Sequence, residues 1–254
     1  MVPRGRRFWL AVFFGLPFLI ILRISLSEAV IGLPPYSALL EWVEGGMLSI
    51  RLNLANFALL WQDTLYLDAF ANSVKIAAIA TLLCLLLGYP MALAITRVRE
   101  GLRTPLLLLV ILPFWTSFLI RVYAWIGILK GNGLMNNLLL WLGLIDEPLQ
   151  LLHTDLAVYI GIVYAYLPFM VLPLYASMER LDFNLVEAAY DLYATRGKVL
   201  RRVIIPLVKP GIIAGSILVF IPSLGAFVIP RVLGGGKKMM LGNLIELQFG
   251  AGRN

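Results

Sequence analysis

Long apolar blocks constrain the fold of this chain more than any other feature of its sequence. Five stretches are long enough to cross the roughly 30 Å hydrocarbon layer of a bilayer. They cover residues 8–24, 69–95, 106–129, 156–177 and 212–233. Only 14% of the 254 residues are charged, whereas about a quarter would be charged in a soluble domain. The sequence therefore predicts an all-α, polytopic bundle of transmembrane helices that forms one domain, residues 1–254.

The basic residues alternate between loops and so predict an orientation. They precede the first block, follow the second at Arg97–Arg103, and follow the fourth across residues 178–210. The loops after blocks one and three are mainly acidic. By the positive-inside rule, the N-terminus and residues 178–210 are cytoplasmic. Five spans then place the C-terminus outside. The Gly-rich end, with an apolar patch at Leu241–Leu247, is interpreted as an outer loop before a sixth span that this sequence lacks.

Composition excludes several classes of function. The net charge of +7 is spread over loops rather than one face, which argues against binding to nucleic acid. A single cysteine, Cys84, allows neither an intramolecular disulfide nor a Cys-based metal site, and His153 is the only histidine. The P-loop pattern G-x-x-x-x-G-K-[ST] does not occur, so the chain is not expected to hydrolyse nucleotides.

A charged island, Met178–Gly211, separates the last two blocks. It holds six Lys/Arg and four Asp/Glu residues, while the flanking blocks are nearly uncharged. The helical spacing of its apolar residues predicts a short amphipathic helix, with Asn184 as a candidate N-cap. These apolar positions are Leu185, Ala188, Ala189 and Leu192. A second, basic helix is predicted at residues 198–203, and Pro206 is expected to break the chain before the last span.

The island resembles the EAA loop of ABC-importer permeases. That pattern is Glu-Ala-Ala, three residues, Gly, nine residues and I-x-L-P. Glu187-Ala188-Ala189 and Pro206 match it, and Val203 and Ile205 are conservative replacements. Tyr193 stands at the glycine position. In a left-handed conformation, Tyr193 would cost roughly 1 kcal/mol or more. Gly197 is the alternative residue for the turn.

Further segments are similar to the permeases of spermidine/putrescine ABC importers. They are residues 34–42, 113–129, 159–175 and 215–235. The resemblance implies the type I permease fold in the inner (cytoplasmic) membrane of the cell, with six spans. It also implies three partners: a second related permease, a cytoplasmic ATPase dimer that binds ATP and Mg, and a periplasmic solute-binding protein. No cofactor is expected on this chain. The implied ATPase-coupling residues are Glu187, Ala188, Ala189, Asp191, Tyr193 and Pro206.

Candidates for the pathway or gate are Trp115, Arg121, Tyr123 and Tyr166. Aromatic faces can hold ammonium groups, although belts at the membrane interface explain most such residues equally well. Arg121 is expected toward the outer leaflet, where it would snorkel or form a structural pair; the alternative is that it lines the pathway. A cation there would repel a polyamine.

These features predict a transport subunit rather than an enzyme. The expected function is to form half of a pathway for polyamines and to couple it to an ATPase through residues 178–210. An alternative within the class is another small solute, such as a cationic amino-acid-like compound or an organophosphonate. A membrane-embedded enzyme would need clustered catalytic side chains, and a stand-alone channel would not explain the EAA island.

Overall fold

The computed structural model describes residues 8–9, 11–28, 30, 36–37, 39–43, 47–50, 53–236 and 239–249. The chain divides into two compact units, Met1–Leu67 and Asp68–Asn254. Helices dominate the described residues and confirm the predicted all-α class. The prediction of one domain over residues 1–254 stays a prediction.

The first unit contains short elements. A π-helical turn, Ala11–Gly15, leads into helix α1, Leu16–Ser25. Strands β1, Leu40–Val43, and β2, Met47–Ile50, pair antiparallel, and helix α2 covers Ala55–Gln62. The apolar helix Ala11–Ser25 is shorter than the span predicted for residues 8–24. Pro17 in the first turn of α1 lacks a backbone N–H, which favours a helix start there.

The helices that follow begin with α3, Thr64–Arg97, which crosses the boundary between the units. The others are α4 (Glu100–Ile111), α5 (Phe118–Leu129), α6 (Leu134–Trp141), α7 (Asp155–Met178), α8 (Asn184–Asp191), α9 (Arg196–Val199), α10 (Ile205–Leu224), α11 (Val228–Leu233) and α12 (Leu241–Phe249). Among the described residues, three helices are long and apolar enough to cross a membrane: Thr64–Arg97, Asp155–Met178 and Arg196–Leu224.

The block at residues 106–129 is not the single straight span that its hydropathy predicts. Helices α4 and α5 meet at a bend of 90° in the pair Glu100–Trp115 and Phe118–Trp141. A 3₁₀ turn, Leu112–Trp115, ends in the extended residue Thr116. Pro113 removes one backbone donor from this turn, which weakens the α-helical hydrogen bonding where the chain bends. The pair counts as a fourth span only if both halves are taken together.

The last predicted span, residues 212–233, also has different bounds. The long helix begins earlier, at Arg196, and ends at Leu224, while Val228–Leu233 forms the separate helix α11. Gly225 follows the end of α10 directly, and Pro222 lies one turn earlier. Glycine is common where helices end, which explains the break.

Helix α7 lies at the centre of the second unit. Met170 of α7 is fully buried and fills the space left by two glycines on neighbouring helices. A Cβ at Gly88 of α3 would lie 3.0 Å from Met170 Cγ, and one at Gly215 of α10 would lie 2.8 Å from Met170 Sδ. Small residues in membrane helices allow this close approach of backbones.

The contact between α7 and α10 is even closer near the ends of both helices. A Cβ at Gly211 would lie 2.4 Å from Ser177 Oγ and 2.6 Å from the backbone oxygen of Pro173. The two helices therefore pack backbone against backbone at this point. Such a contact holds them at a fixed separation, because neither helix can move closer or admit a larger side chain.

Residues 132–154, between α5 and α7, contain helix α6. Its buried residue Asn136 donates from Nδ2 to the backbone oxygens of Lys130, 3.3 Å, and Leu149, 2.8 Å. Asn136 Oδ1 accepts from the backbone N–H of Leu149, 3.0 Å. One side chain thus satisfies the backbone on both sides of α6 and fixes the loop.

The segment that contains Leu241–Leu247 is helical, not the outer loop expected from its composition. The backbone N–H of Leu241 donates to Ser73 Oγ of α3 at 2.8 Å. Asn243 Nδ2 donates to the backbone oxygen of Phe227 at 2.9 Å, and Arg231 forms an ion pair with Glu246. These contacts with distant parts of the chain stabilise α12. The Gly-rich sequence around it did not indicate a helix.

Candidate coupling surface and membrane pathway

Helix α8 is attached to the helical core by one narrow face. Val186 is 6% exposed and belongs to a buried cluster with Tyr175 and Met178 of α7 and Val199 of α9. Phe183 and Ala189 pack against the same cluster. The apolar stripe predicted from the sequence is therefore only partly right: Leu185 and Leu192 are 49% and 81% exposed. The buried stripe instead follows residues 183, 186 and 189, at a spacing of three.

The N-terminus of α8 also differs from the prediction. Asn184 is the first residue of the helix rather than its cap, and Phe183 occupies the cap position without a side-chain hydrogen bond. The carboxylate of Asp182 accepts the backbone N–H of Asn184 at 3.0 Å. The prediction of Asn184 as the N-cap is therefore wrong, and Glu187 is exposed.

The outward face of α8 combines acidic and apolar side chains. We call this face, with the turn that follows it, the α8 surface. Its exposed residues are Glu187, Ala188, Tyr190, Asp191, Leu192 and Tyr193. Leu192 and Tyr193 are 81% and 96% exposed. They lie outside the three long helices, so their exposure is not explained by contact with lipid. Contiguous exposed apolar residues beside charges are typical of a protein-binding surface.

Of the two residues considered for the turn after α8, Tyr193 is the one in the left-handed conformation, with φ 58°. The helix ends in a Schellman motif: the N–H of Ala194 donates to Ala189 O at 3.1 Å, and the N–H of Tyr193 donates to Tyr190 O at 2.9 Å. Ala189 and Ala194 both pack on the core cluster, as the two ends of this motif usually do. Gly197 lies within α9 and does not supply the turn.

Pro206 does not break the chain before the last span. A π-helical turn, Leu200–Ile204, joins α9 to α10, and Arg196–Leu224 runs as one long helix. Pro206 lies in the first turn of α10. Its missing N–H and its ring would disturb a regular α-helix near Arg202, and the wider π turn accommodates both. The loop after α8 is therefore continuous with a long helix.

Two of the four pathway candidates meet in one aromatic cluster. The guanidinium carbon of Arg121 lies 5.2 Å from the ring centroid of Phe114 and 5.8 Å from that of Phe118. Phe114 packs edge-on against Phe169 at 5.2 Å, and Tyr166 lies 6.2 Å from Phe169. We call these five residues the Arg121 cluster. It joins the bend between α4 and α5 to the middle of α7.

A small cavity lies beside this cluster. Tyr166 and Phe118 line it together with residues 222 and 225–229, where α10 ends and α11 begins. Trp115 and Tyr123 are 77% and 60% exposed on this chain. Of the four candidates, only Tyr166 therefore lines a cavity at the broken helices.

Sequence reasoning missed the phenylalanines of the Arg121 cluster. Phe114, Phe118 and Phe169 have no polar atom, so nothing in their residue type marks them. The available signal was Pro113, because a proline-induced break brings residues from both sides of a bend together. In the described parts of the chain, no group of three or more His, Cys, Asp or Glu side chains is placed to hold a metal ion.

The long apolar helices and the exposed helix between two of them define the class of protein, a polytopic membrane protein with a surface outside its long helices. Residues 84–249 match the model of the family described as binding-protein-dependent transport system inner membrane component, and the chain belongs to this family. It is thus a permease subunit of an ABC importer in the inner membrane, a transport subunit rather than an enzyme.

Individual relatives match over almost the whole chain. The chain is 43% identical to a spermidine/putrescine transport system permease protein PotB of Salmonella typhimurium (strain LT2) and 42% identical to that of Escherichia coli (strain K12). The alignments cover 95% of this chain and 79% and 82% of those proteins. The protein of the same name from Haemophilus influenzae is 39% identical over 97% of this chain and 81% of its own length.

Solved structures share the fold at lower identity. One is a bacterial ABC transporter involved in the import of the acidic polysaccharide alginate, with a TM-score of 0.64, 19% identity, and coverage of 98% of this chain and 82% of that one. Another is the alginate transporter in complex with its alginate-bound periplasmic protein, with a TM-score of 0.60, 21% identity, and coverage of 97% and 85%. At these identities they support the fold alone.

Proposed function

We propose that this permease forms half of a translocation pathway for polyamines such as spermidine and putrescine. The observation that carries the proposal is the identity of 39–43% to spermidine/putrescine permeases over 95–97% of the chain. The Arg121 cluster is consistent with it, because aromatic faces such as that of Tyr166 can hold ammonium groups. The other half of the pathway comes from a second, related permease.

The α8 surface is the proposed binding site for a cytoplasmic ATPase. Glu187 and Asp191 are exposed there, and Ala188 lies between them without a bulky side chain. A neighbouring protein can therefore approach the helix backbone closely and still meet two carboxylates. Val186 and Ala189 connect α8 to the core cluster that includes α7 and α10. Movement of the ATPase would then shift these helices as a rigid body.

The remaining partners follow from this assignment. A periplasmic solute-binding protein would deliver the solute from the opposite side of the membrane, and two ATPase subunits would bind ATP and Mg. The basic residues around α8 and α9 support a cytoplasmic position for this end of the molecule, and the basic residues before the first apolar block support the same for the N-terminus. No cofactor on this chain is needed for such a role.

A specific observation favours a second class of solute. The guanidinium of Arg121 lies 5.8 Å from the ring centroid of Phe118, which lines the same cavity as Tyr166, and a cation near this cavity suits an anionic solute such as an organophosphonate. The solute is a polyamine under the first proposal and an anion under the second. A cationic amino-acid-like compound remains a third candidate, and it is compatible with the same aromatic contacts.

The solute is tested by reconstituting the two permeases, the ATPase and the periplasmic protein in lipid vesicles. We expect ATP hydrolysis to rise when the periplasmic protein is loaded with spermidine or putrescine. Arginine and an alkylphosphonate serve as the comparison solutes. Stimulation by either of these, without stimulation by a polyamine, would reject the polyamine assignment.

The coupling role is tested by Glu187→Ala in the same vesicles. Loss of the carboxylate should reduce solute-stimulated ATP hydrolysis by about tenfold or more, because a charged contact with the ATPase is removed. Asp146→Ala changes an exposed carboxylate in the loop after α6 and is the matched control. Stimulation of Glu187→Ala equal to that of the control would contradict the role.

A further inference from the structure

Arg121 is a charged side chain whose partner is not in the described part of the chain. Its Nε and Nη1 atoms are buried and form no hydrogen bond there. The rings of Phe114 and Phe118 lie against the guanidinium at 5.2 and 5.8 Å. Cation–π contact stabilises the positive charge but accepts no hydrogen bond from its N–H groups. The site therefore lacks an acceptor.

The guanidinium is also far from both ends of α7. Phe114 touches Phe169, which is the fifteenth of the 24 residues from Asp155 to Met178. At about 1.5 Å per residue, Phe169 lies roughly 21 Å from one end of the helix and roughly 13 Å from the other. If α7 spans the bilayer as its length and composition indicate, Phe169 lies within the hydrocarbon layer, where lipid phosphates are not found and an unpaired charge is costly. Of the roles expected for Arg121, a structural pair suits this position better than snorkelling to the outer surface.

The helices around the Arg121 cluster have few carboxylates of their own. The sequence has no acidic residue between Asp68 and Glu100, between Glu100 and Asp146, or between Asp155 and Glu179. These intervals contain α4, α5 and nearly all of α3 and α7. Asp155 begins α7, eleven residues before Tyr166, or roughly 16 Å along the helix axis. The helices that surround Arg121 therefore offer it no carboxylate at this depth.

We propose that Arg121 forms a hydrogen-bonded ion pair with a carboxylate of the second permease subunit inside the membrane. The inference rests on the proposed function, which supplies both the second permease and a polyamine solute. A polyamine cannot neutralise a guanidinium, and an unpaired cation beside the pathway would repel it. A carboxylate from the second permease removes that barrier and joins the two subunits at the bend between α4 and α5.

The test replaces Arg121 by Gln and, separately, each membrane-embedded Asp or Glu of the second permease by Asn or Gln. The first readout is the amount of second permease that copurifies with this chain in the assembled importer. Arg121→Gln should lower it about tenfold or more, because a buried carboxylate is left unpaired. One double variant, with both charges removed, should restore copurification. Arg121→Lys should retain most of it.

Lys75→Gln is the matched control, since Lys75 is an exposed cation on α3 with no aromatic enclosure, and copurification should not change. The proposal is wrong if Arg121→Gln copurifies like wild type or if no double variant restores assembly. It is also wrong if Arg121→Gln no longer lowers copurification after purification in a maltoside detergent without lipid. That result would indicate that Arg121 binds a lipid phosphate. Normal copurification with lost stimulation by an anion would indicate an anionic solute.

Copurification does not depend on the solute. If neither spermidine nor putrescine stimulates the wild-type importer while the Arg121→Gln result holds, the polyamine assignment fails and the ion pair stands. If polyamines stimulate and Arg121→Gln has no effect on assembly, the ion pair fails and the function stands. The two conclusions are thus separately falsifiable.

Discussion

Tyr193 is the residue at which sequence and backbone are most clearly in conflict. The Schellman motif after α8 requires a left-handed residue, and a tyrosine occupies it with φ 58°. The sequence pattern located this position correctly, because it aligned Tyr193 with a glycine. It did not show what compensates the cost. The structure shows Ala189 and Ala194 held against the core cluster on either side of the turn.

Replacing Tyr193 by Gly should therefore stabilise the end of α8. Glycine removes the steric cost of the left-handed conformation, about 1 kcal/mol. For a protein of this size, the melting temperature in detergent should rise by about 2–4 °C. Tyr193→Ala is the control, because it removes the exposed ring and keeps the cost of a Cβ. Equal melting temperatures for the Gly and Ala variants would show that the conformation carries no strain.

For Arg121, the sequence identified the residue but not its surroundings. Its residue type marked it as a functional candidate, but its depth depends on a bend that brings Phe114 next to Phe169. Hydropathy assigns a residue to a span, and not to a position relative to other helices. The sequence could therefore list Arg121 and Tyr166 together without showing that one aromatic cluster contains both.

At the scale of elements, helix breaks determine whether an apolar block of the sequence forms one helix or two. Pro113 lies at the 90° bend between α4 and α5, whereas Pro206 lies in a helix that continues through a π turn. The same residue type thus had two outcomes. Proline removes one donor in both cases, and the surrounding packing determines whether a π turn or a change of direction accommodates it.

The contact between α7 and α10 should tolerate no added methyl group. Gly211→Ala places a Cβ against Ser177 Oγ and the backbone of Pro173, at 2.4 and 2.6 Å, so the helices must separate. Overpacking of this kind costs about 1–3 kcal/mol, more than alanine gains in helix propensity. The melting temperature of the purified protein should fall accordingly.

Gly127→Ala provides the control for this prediction. Gly127 lies in α5, and a Cβ there would meet no atom within 4 Å. Its substitution should leave the melting temperature unchanged or raise it, since alanine favours the helix by roughly 1 kcal/mol. A similar fall for both variants would show that the α7–α10 contact is not the cause.

At the scale of the whole molecule, the orientation in the membrane stays a prediction from the distribution of basic residues. It can be tested with a single cysteine at Thr195→Cys, in the exposed turn after α8. A membrane-impermeant maleimide should label this cysteine only from the cytoplasmic side. The native Cys84 is fully buried and should not react in the folded protein.

Asp146→Cys is the matched position at the opposite end. It is exposed in the loop between α6 and α7 and should be labelled only from the periplasmic side. Labelling of both cysteines from the same side, or of Thr195→Cys from outside, would reject the predicted orientation. The proposed contact between the α8 surface and a cytoplasmic ATPase would then fail as well.

The sequence by itself determined the class of protein. Apolar length, the charged island and the EAA pattern are local properties, and they sufficed to predict a helical membrane permease and to mark Tyr193 and Gly197 as the two candidates for the turn after α8. Tertiary structure alone decided which face of α8 is buried, where the spans bend, and that Arg121 lies among phenylalanines deep in the bundle. Those outcomes depend on contacts between residues far apart in the chain, such as Gly211 with Ser177. A local sequence pattern does not indicate which helices will be in contact.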